Sequence, residues 1–261
     1  MLSGDCFRNL CSTEILLSST GELRFRGREN NALVYIRSNF ADVVLNKLLD
    51  EFPGYCFKKH FVLHGSDQTI SIGVAQALVS AGAMISSVNW LHNPSLVNPI
   101  PIGVATRERL QNPSNARYRT YLKNYEEFSR LPFDARKVRL YINFDITTNL
   151  PIRRSARANG LLVGGALMPE ANVSFAKHGE ILRNSQFVLS PPGAGADCFR
   201  TWEALYSGAI PIVLREAWPF VHLELPVLIV EDFENLADKL DSFASRETSL
   251  PWMEASTFIP Y

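Results

Sequence analysis

The chain has 261 residues, enough for one large domain or two small ones at the ~100–150 residues typical of a domain. Its 46% hydrophobic and 20% charged residues exclude a disordered, fibrous or membrane-embedded chain, and 26 Lys+Arg against 26 Asp+Glu leave no basic field of the kind that nucleic-acid binders carry. Cys6, Cys11, Cys56 and Cys198 form no Cys-x-x-Cys pair and lack histidines at zinc-ligand spacing, which argues against structural zinc and fits a reducing compartment.

The first residues, MLSGDCFRNLCSTEILLSS, lack a basic stretch followed by a long apolar run, and nowhere do the ~18 uninterrupted apolar residues of a membrane span occur. A soluble cytoplasmic protein is expected. Further on, NALVYIRS (31–38) and HFVLHGSD (60–67) read as short buried strands with the helical spacing of FADVVLNKLLDEF (40–52) between them. TISIGVAQALVSAG (69–82) reads as a helix stopped by Gly82, AMISSVNW (83–90) as the next strand, and NPIPIGVA (98–105) as an extended segment stiffened by proline. Alternation then stops over the polar, aromatic stretch 112–137. It resumes with the strand VRLYINFD (138–145), the basic helix entry ITTNLPIRRSARAN, the strand QFVLS (186–190), a helix, the strand AIPIVL (209–214), and a last strand and helix in LPVLIVEDFENLADKLDSFAS. Two α/β halves are predicted, 1–115 and 138–261, joined by a crossover at 116–137.

The stretch SPPGAGADCFRTWEALYSGAIPIVL (190–214) carries the chemistry. Pro191 and Pro192 stop the preceding strand, Gly193 and Gly195 permit close approach of a ligand, Asp197 is the expected N-cap of the helix, and Gly208 ends it. On that helix Cys198, Trp202 and Leu205 face the sheet, while Arg200 and Glu203 share another face. A helix N-terminus with an arginine in its first turn suits a diphosphate, and a carboxylate one turn deeper suits a ribose diol. The plainer alternative is a tight turn with Arg200 and Glu203 paired on a solvated face. There is no Gly-x-x-x-x-Gly-Lys-[Ser/Thr] phosphate loop, and in a dinucleotide fingerprint built on Gly193, Gly195 and Glu216 the third glycine position is Cys198.

The same stretch resembles the nucleotide-sugar-binding segment of exostosin-like glycosyltransferases: aromatic-x-Leu, Pro-x-Gly, a variable loop, Arg, Glu-Ala-Leu, Gly, then Ile-Pro-Val. Residues 88–109, 141–154 and 225–233 are also similar to related members, so the likeness covers about 60–240. The resemblance implies a GT-B architecture, two Rossmann-like halves facing across a cleft, and metal-independent, inverting transfer from a UDP-sugar to a glycan acceptor. It implies that Arg200 meets the diphosphate and Glu203 the ribose, with Pro192, Gly193, Gly195, Asp197, Asn143, Thr148, Arg153 and Arg154 around the donor. The lack of any Asp-x-Asp agrees with metal independence, and no cofactor is expected. Phe199 departs from the pattern, because related sequences often carry His before the motif arginine. Small soluble xylosyltransferases of large algal viruses are of similar size, which makes xylose the first choice of sugar.

Inverting transfer needs a base for the acceptor hydroxyl. The strand FVL runs into HGSDQ, placing Asp67 and, in reserve, His64 at a strand's carboxyl end; Asp67 is alternatively a cap of the following helix. His92 and Asn93 are assigned to the acceptor side, and Trp90 and Trp218 are candidates for stacking on sugar rings, against structural roles for both tryptophans. Two rival readings stand beside the transferase: an NAD-type oxidoreductase using the 193–198 loop, and a noncatalytic nucleotide-sugar-binding relative.

Overall fold

Strands gather into two parallel-rich sheets in a computed structural model that describes residues 3–27, 32–106, 110, 114–126, 131–169 and 173–247. Several predicted stretches are covered only in part. Residues 1–2, residue 31 of the first predicted strand, 107–109 of the segment 88–109, 112–113 and 127–130 of the polar stretch, and 248–261 lie outside the described residues. Two compact units result, one of residues 2–102 with 195–197, the other of 103–194 and 198–261.

The first unit runs α1 (Gly4–Leu10), β1 (Thr13–Leu17), β2 (Leu23–Gly27), β3 (Leu33–Arg37), α2 (Ala41–Glu51), β4 (His60–His64), α3 (Ile72–Ser80), β5 (Met84–Ser87) and β6 (Asn98–Pro99). Its sheet has the order β2-β1-β3-β4-β5-β6, with β1 and β2 antiparallel and the other pairings parallel. Contiguous apolar runs make the central strands: Val34–Ile36 and Phe61–Leu63 are buried, as strands covered on both faces require. Ala41, Val44, Leu45 and Leu48 form the buried stripe of α2 at helical spacing. α3 starts at Ile72, not at 69, with Ser71 as its N-cap, so Asp67 does not cap it.

The second unit runs α4 (Asn115–Glu126), β7 (Val138–Tyr141), α5 (Leu150–Leu161), β8 (Ala166–Leu167), α6 (Phe175–Arg183), β9 (Ser185–Leu189), α7 (Phe199–Tyr206), β10 (Ile210–Leu214), β11 (Leu228–Val230) and α8 (Leu236–Glu247). Its parallel sheet has the order β8-β7-β9-β10-β11. Numbered within the sheet this is 2-1-3-4-5, a doubly wound sheet whose direction of winding reverses between β7 and β9. Ligands of such sheets bind outside the carboxyl ends of the two strands at that reversal.

Three local expectations change here. The strand predicted over 138–145 stops at Tyr141, and a short 3-10 turn at Ile146–Asn149 precedes α5, with the Asp145 carboxylate accepting the Thr147 N–H at 2.8 Å. Pro151 then falls in the first helical turn, where its missing N–H costs no hydrogen bond. The polar stretch is not a bare crossover, because α4 occupies its first part and packs on α6 through Tyr121 and Phe175, ring centroids 5.4 Å apart. Finally, Cys198, not Asp197, is the N-cap of α7, since the Asp197 carboxylate is held by the backbone N–H of Ile102 at 2.8 Å. Gly208, at φ +72°, does end α7 in the left-handed conformation that favours glycine. No helix among the described residues is long and apolar enough to cross a membrane.

Candidate functional site

The reversal between β7 and β9 brings together the loop 142–149, the start of α5, the loop 190–194 and the start of α7. Arg153, in the first turn of α5, is buried and spends its guanidinium on backbone. Nε donates to Pro192 O at 3.0 Å, Nη1 to Asp145 O at 2.8 Å and Nη2 to Pro191 O at 3.4 Å. Asn149 adds a hydrogen bond from its amide to Gly193 O at 3.2 Å. A Cβ on Gly193 would lie 2.6 Å from Arg153 Nη2, so this glycine makes room for the arginine that ties the two loops together. Arg154, one position on, is exposed, as is Thr148, whose hydroxyl donates to Asp145 O at 3.2 Å.

Arg200 is used differently. Its Nε donates to Asn143 O at 2.7 Å, its guanidinium carbon stands 5.3 Å from the centre of the Phe144 ring, and Nη1 is shut off from solvent with no hydrogen-bond partner among the described residues. Arg153 stands 5.5 Å from the same ring, so Phe144 carries two guanidinium groups. Burial depresses the pKa of Arg200 below the ordinary arginine value, a sign that its charge is poorly solvated. No side chain caps the amino end of α7 beside it. A half-buried cation with one buried, orphaned donor at an uncapped helix start is an arrangement that an anion stabilises.

Behind Arg200 lies a network that sequence reasoning missed. Glu203 is only 9% exposed, and both its oxygens have protein donors: the Tyr121 hydroxyl at 2.6 Å on Oε1 and His178 Nε2 at 3.3 Å on Oε2. Tyr141 and Asn143 approach His178 Nδ1 at 3.0 and 3.2 Å; with their O–H and N–H donating there, Nε2 carries the hydrogen given to Glu203. Burial works to raise the Glu203 pKa, but His178, Tyr121 and the charge of Arg200 outweigh it and hold the carboxyl below its usual value. Burial also pushes the Tyr141 phenol up to about 12, leaving it a hydrogen donor at neutral pH. Glu203 is therefore an ionised carboxylate in the interior, not half of a solvated Arg–Glu pair. The expected ribose contact meets oxygens already occupied by protein. Its nearest signal in the sequence was the aromatic-rich 112–137, where Tyr121 stands.

The remaining predicted residues, Trp218 excepted, belong to the first unit. His64 is buried; Nε2 donates to Pro101 O at 3.1 Å and Nδ1 accepts the Gly65 N–H at 2.6 Å. Burial brings its pKa down to about 4, so both ring nitrogens serve a neutral, structural imidazole. Asp67 lies in the loop after β4, its carbonyl accepting from Asn89 at 3.0 Å. His92 and Asn93 are exposed beside Trp90, whose buried indole N–H donates to Asn93 O at 3.0 Å. Trp90 is thus core, as is Trp218, which packs with Trp202 and Phe220. Gly195 and Asp197 pack with residues 2–102, where the Asp197 N–H donates to Asn89 Oδ1 at 2.8 Å. Among the described residues no group of three His, Cys, Asp or Glu side chains gathers into a metal site.

The family model for the RXYLT1 C-terminal domain matches residues 165–219, from β8 through the glycine loop and α7 to the turn after β10. His178, Arg200 and Glu203 all fall within that match. No curated protein matches the chain. Residues 165–219, which include β9 and α7 at the β7/β9 reversal, are thus similar to a xylosyltransferase-type glycosyltransferase domain.

Proposed function

We propose that the protein is a UDP-sugar-dependent glycosyltransferase that moves a sugar, xylose as the first choice, onto a glycan hydroxyl with inversion at the anomeric carbon and without a metal ion. The orphaned Nη1 of Arg200 carries this reading: a diphosphate oxygen supplies the partner that this nitrogen lacks among the described residues. Arg153, held by three carbonyls, shapes the loops that face the diphosphate. The Glu203 carboxylate, hydrogen-bonded by His178, favours the charge of Arg200. The match to the RXYLT1 C-terminal domain supports transferase chemistry over hydride transfer. So does the position of the glycine loop: it follows β9, on the far side of the winding reversal, whereas a dinucleotide fingerprint follows the first strand of its sheet.

In the transfer, the acceptor oxygen attacks the anomeric carbon as the bond from that carbon to the diphosphate oxygen breaks. Asp67 is the proposed base that takes the acceptor proton, and the charge left on UDP falls to Arg200 and the start of α7. The GT-B arrangement and the acceptor-side roles of His92 and Asn93 are parts of the same proposal. Calorimetry with UDP and a panel of UDP-sugars, with and without EDTA, tests it. Binding that survives EDTA and collapses in Arg200→Ala is expected; UDP affinity indifferent to Arg200, or lost in EDTA, overturns the reading.

A further inference from the structure

Asn89 is a non-glycine residue in the left-handed region, at φ +57°, just beyond the carboxyl end of β5. Asparagine tolerates that conformation better than most residues, and here both ends of its buried amide are used. Nδ2 donates to the carbonyl of Asp67 at 3.0 Å, and Oδ1 accepts the N–H of Asp197 at 2.8 Å, an arrangement that a flipped amide cannot satisfy. Asp197 is itself buried, and its carboxylate accepts the Ile102 N–H at 2.8 Å. One amide and one carboxylate thus tie together the loop after β4, the end of the segment that follows β6, and residues 195–197.

Gly195 gives the arrangement a second, independent mark. A Cβ there would lie 2.7 Å from Asn89 Nδ2 and 2.9 Å from its Cγ and Oδ1. The backbone of Gly195 is not left-handed, so the residue is needed for space against Asn89, not for conformational freedom.

We infer that Asn89 is a positioning residue, a latch that holds the backbone of Asp67 and of the 195–197 loop in the single geometry that sugar transfer requires. It touches neither reactant and acts through the two segments it bonds. The inference rests on the transferase reading for its catalytic consequence, but the latch itself has a readout independent of activity.

The test is a double-mutant cycle between positions 89 and 195, read by kcat and by hydrogen exchange of the Asp197 and Ile102 amides. Gly195→Ala alone is expected to lower kcat at least ~10-fold and to speed exchange at both amides by a similar factor, since the new methyl displaces the Asn89 amide. Asn89→Gly keeps the left-handed backbone without strain, removes both hydrogen bonds, and is expected to have effects of the same size. In the Asn89→Gly background, adding Gly195→Ala should cost less than ~2-fold more, because the group the methyl would strike is gone. UDP affinity should stay within ~3-fold in Asn89→Gly, since Asn89 lies outside the donor-binding residues and Arg200 is untouched. Additive losses in the double variant, or unchanged exchange in Asn89→Gly, overturn the latch. Unchanged kcat with faster exchange overturns its catalytic role. A parent protein that binds no UDP-sugar sinks the transferase reading instead, and the exchange cycle still decides the latch.

Discussion

His64 ends β4 of the first sheet and is satisfied by backbone, giving a hydrogen to Pro101 and accepting one from Gly65, whereas His178 on α6 beside the second sheet is met by the side chains of Tyr141, Asn143 and Glu203. The two arginines around Phe144 differ in the same way. Arg153 is consumed by carbonyls, and Arg200 keeps a nitrogen with no partner among the described residues. Backbone-satisfied groups fix loops in place. Groups wired through side chains, and above all a cation with one donor left unmet, are the ones with interaction capacity for a ligand.

Removing the centre of the side-chain network should do the most damage. Glu203→Ala leaves the Tyr121 and His178 donors unmet and the Arg200 charge uncompensated in the interior, and breaking such a buried ionic group costs ~3–5 kcal/mol. Urea unfolding should show that loss, with Glu203→Gln milder because it retains one acceptor. A loss no larger than that of an exposed pair would place Glu203 outside any network.

The backbone-satisfied histidine makes a different prediction, in pH. His64 has its pKa depressed to about 4, against an unfolded value near ~6.5, so between those values the unfolded chain binds the extra proton. The contribution is therefore fully present above about pH 6.5 and drains at ~1.4 kcal/mol per pH unit as pH falls toward about 4, close to 3 kcal/mol in all. His64→Gln should flatten this limb of the stability–pH curve. An equal slope in the variant would show that another group supplies it.

Arg200→Ala should follow in size, weakening UDP binding by ~1.5–3 kcal/mol through loss of a charge-assisted contact. Arg200→Lys should restore little, because a single ammonium cannot both donate to Asn143 O and replace the planar fork at Nη1. Arg153→Lys, by contrast, should act mainly on stability, since its present partners are loop carbonyls. Calorimetry and thermal unfolding on the two variants would separate, or merge, the two arginines.

Much of the second sheet was legible because buried parallel strands are written as contiguous apolar runs: QFVL and IPIVL need no partner to be recognised. The place of Arg200 in the first turn of a helix after a glycine loop was legible too. The N-terminal hairpin was not, because LRFRG is an edge strand whose arginines face outward and whose only apolar side chains are Leu23 and Phe25. Asp197 read as a cap because aspartate caps helices well, yet the Ile102 N–H, 95 residues away in the chain, claims its carboxylate. The partners of Glu203 were hidden for the same reason. Tyr121 and His178 sit on helices whose local pattern is polar, and only tertiary packing turns them inward.

Tyr121 offers the finest discrimination between scaffold and network, because it belongs to both. Its hydroxyl accepts the backbone N–H of Ala105 at 2.9 Å while donating to Glu203 at 2.6 Å. Tyr121→Phe leaves the ring packed on Phe175 but strands one backbone donor and removes one donor from a buried carboxylate, a loss of ~1–2 kcal/mol. The carboxyl also loses one of the contacts that lower its pKa, so that pKa should rise. A depressed carboxyl contributes stability that is present above its unfolded pKa and is lost as pH falls through the folded one. In Tyr121→Phe that acid loss should therefore be smaller and complete at a higher pH than in the parent. If the acid limb is unmoved while stability at neutral pH still drops, Tyr121 serves the Ala105 backbone alone and the network ends at Glu203.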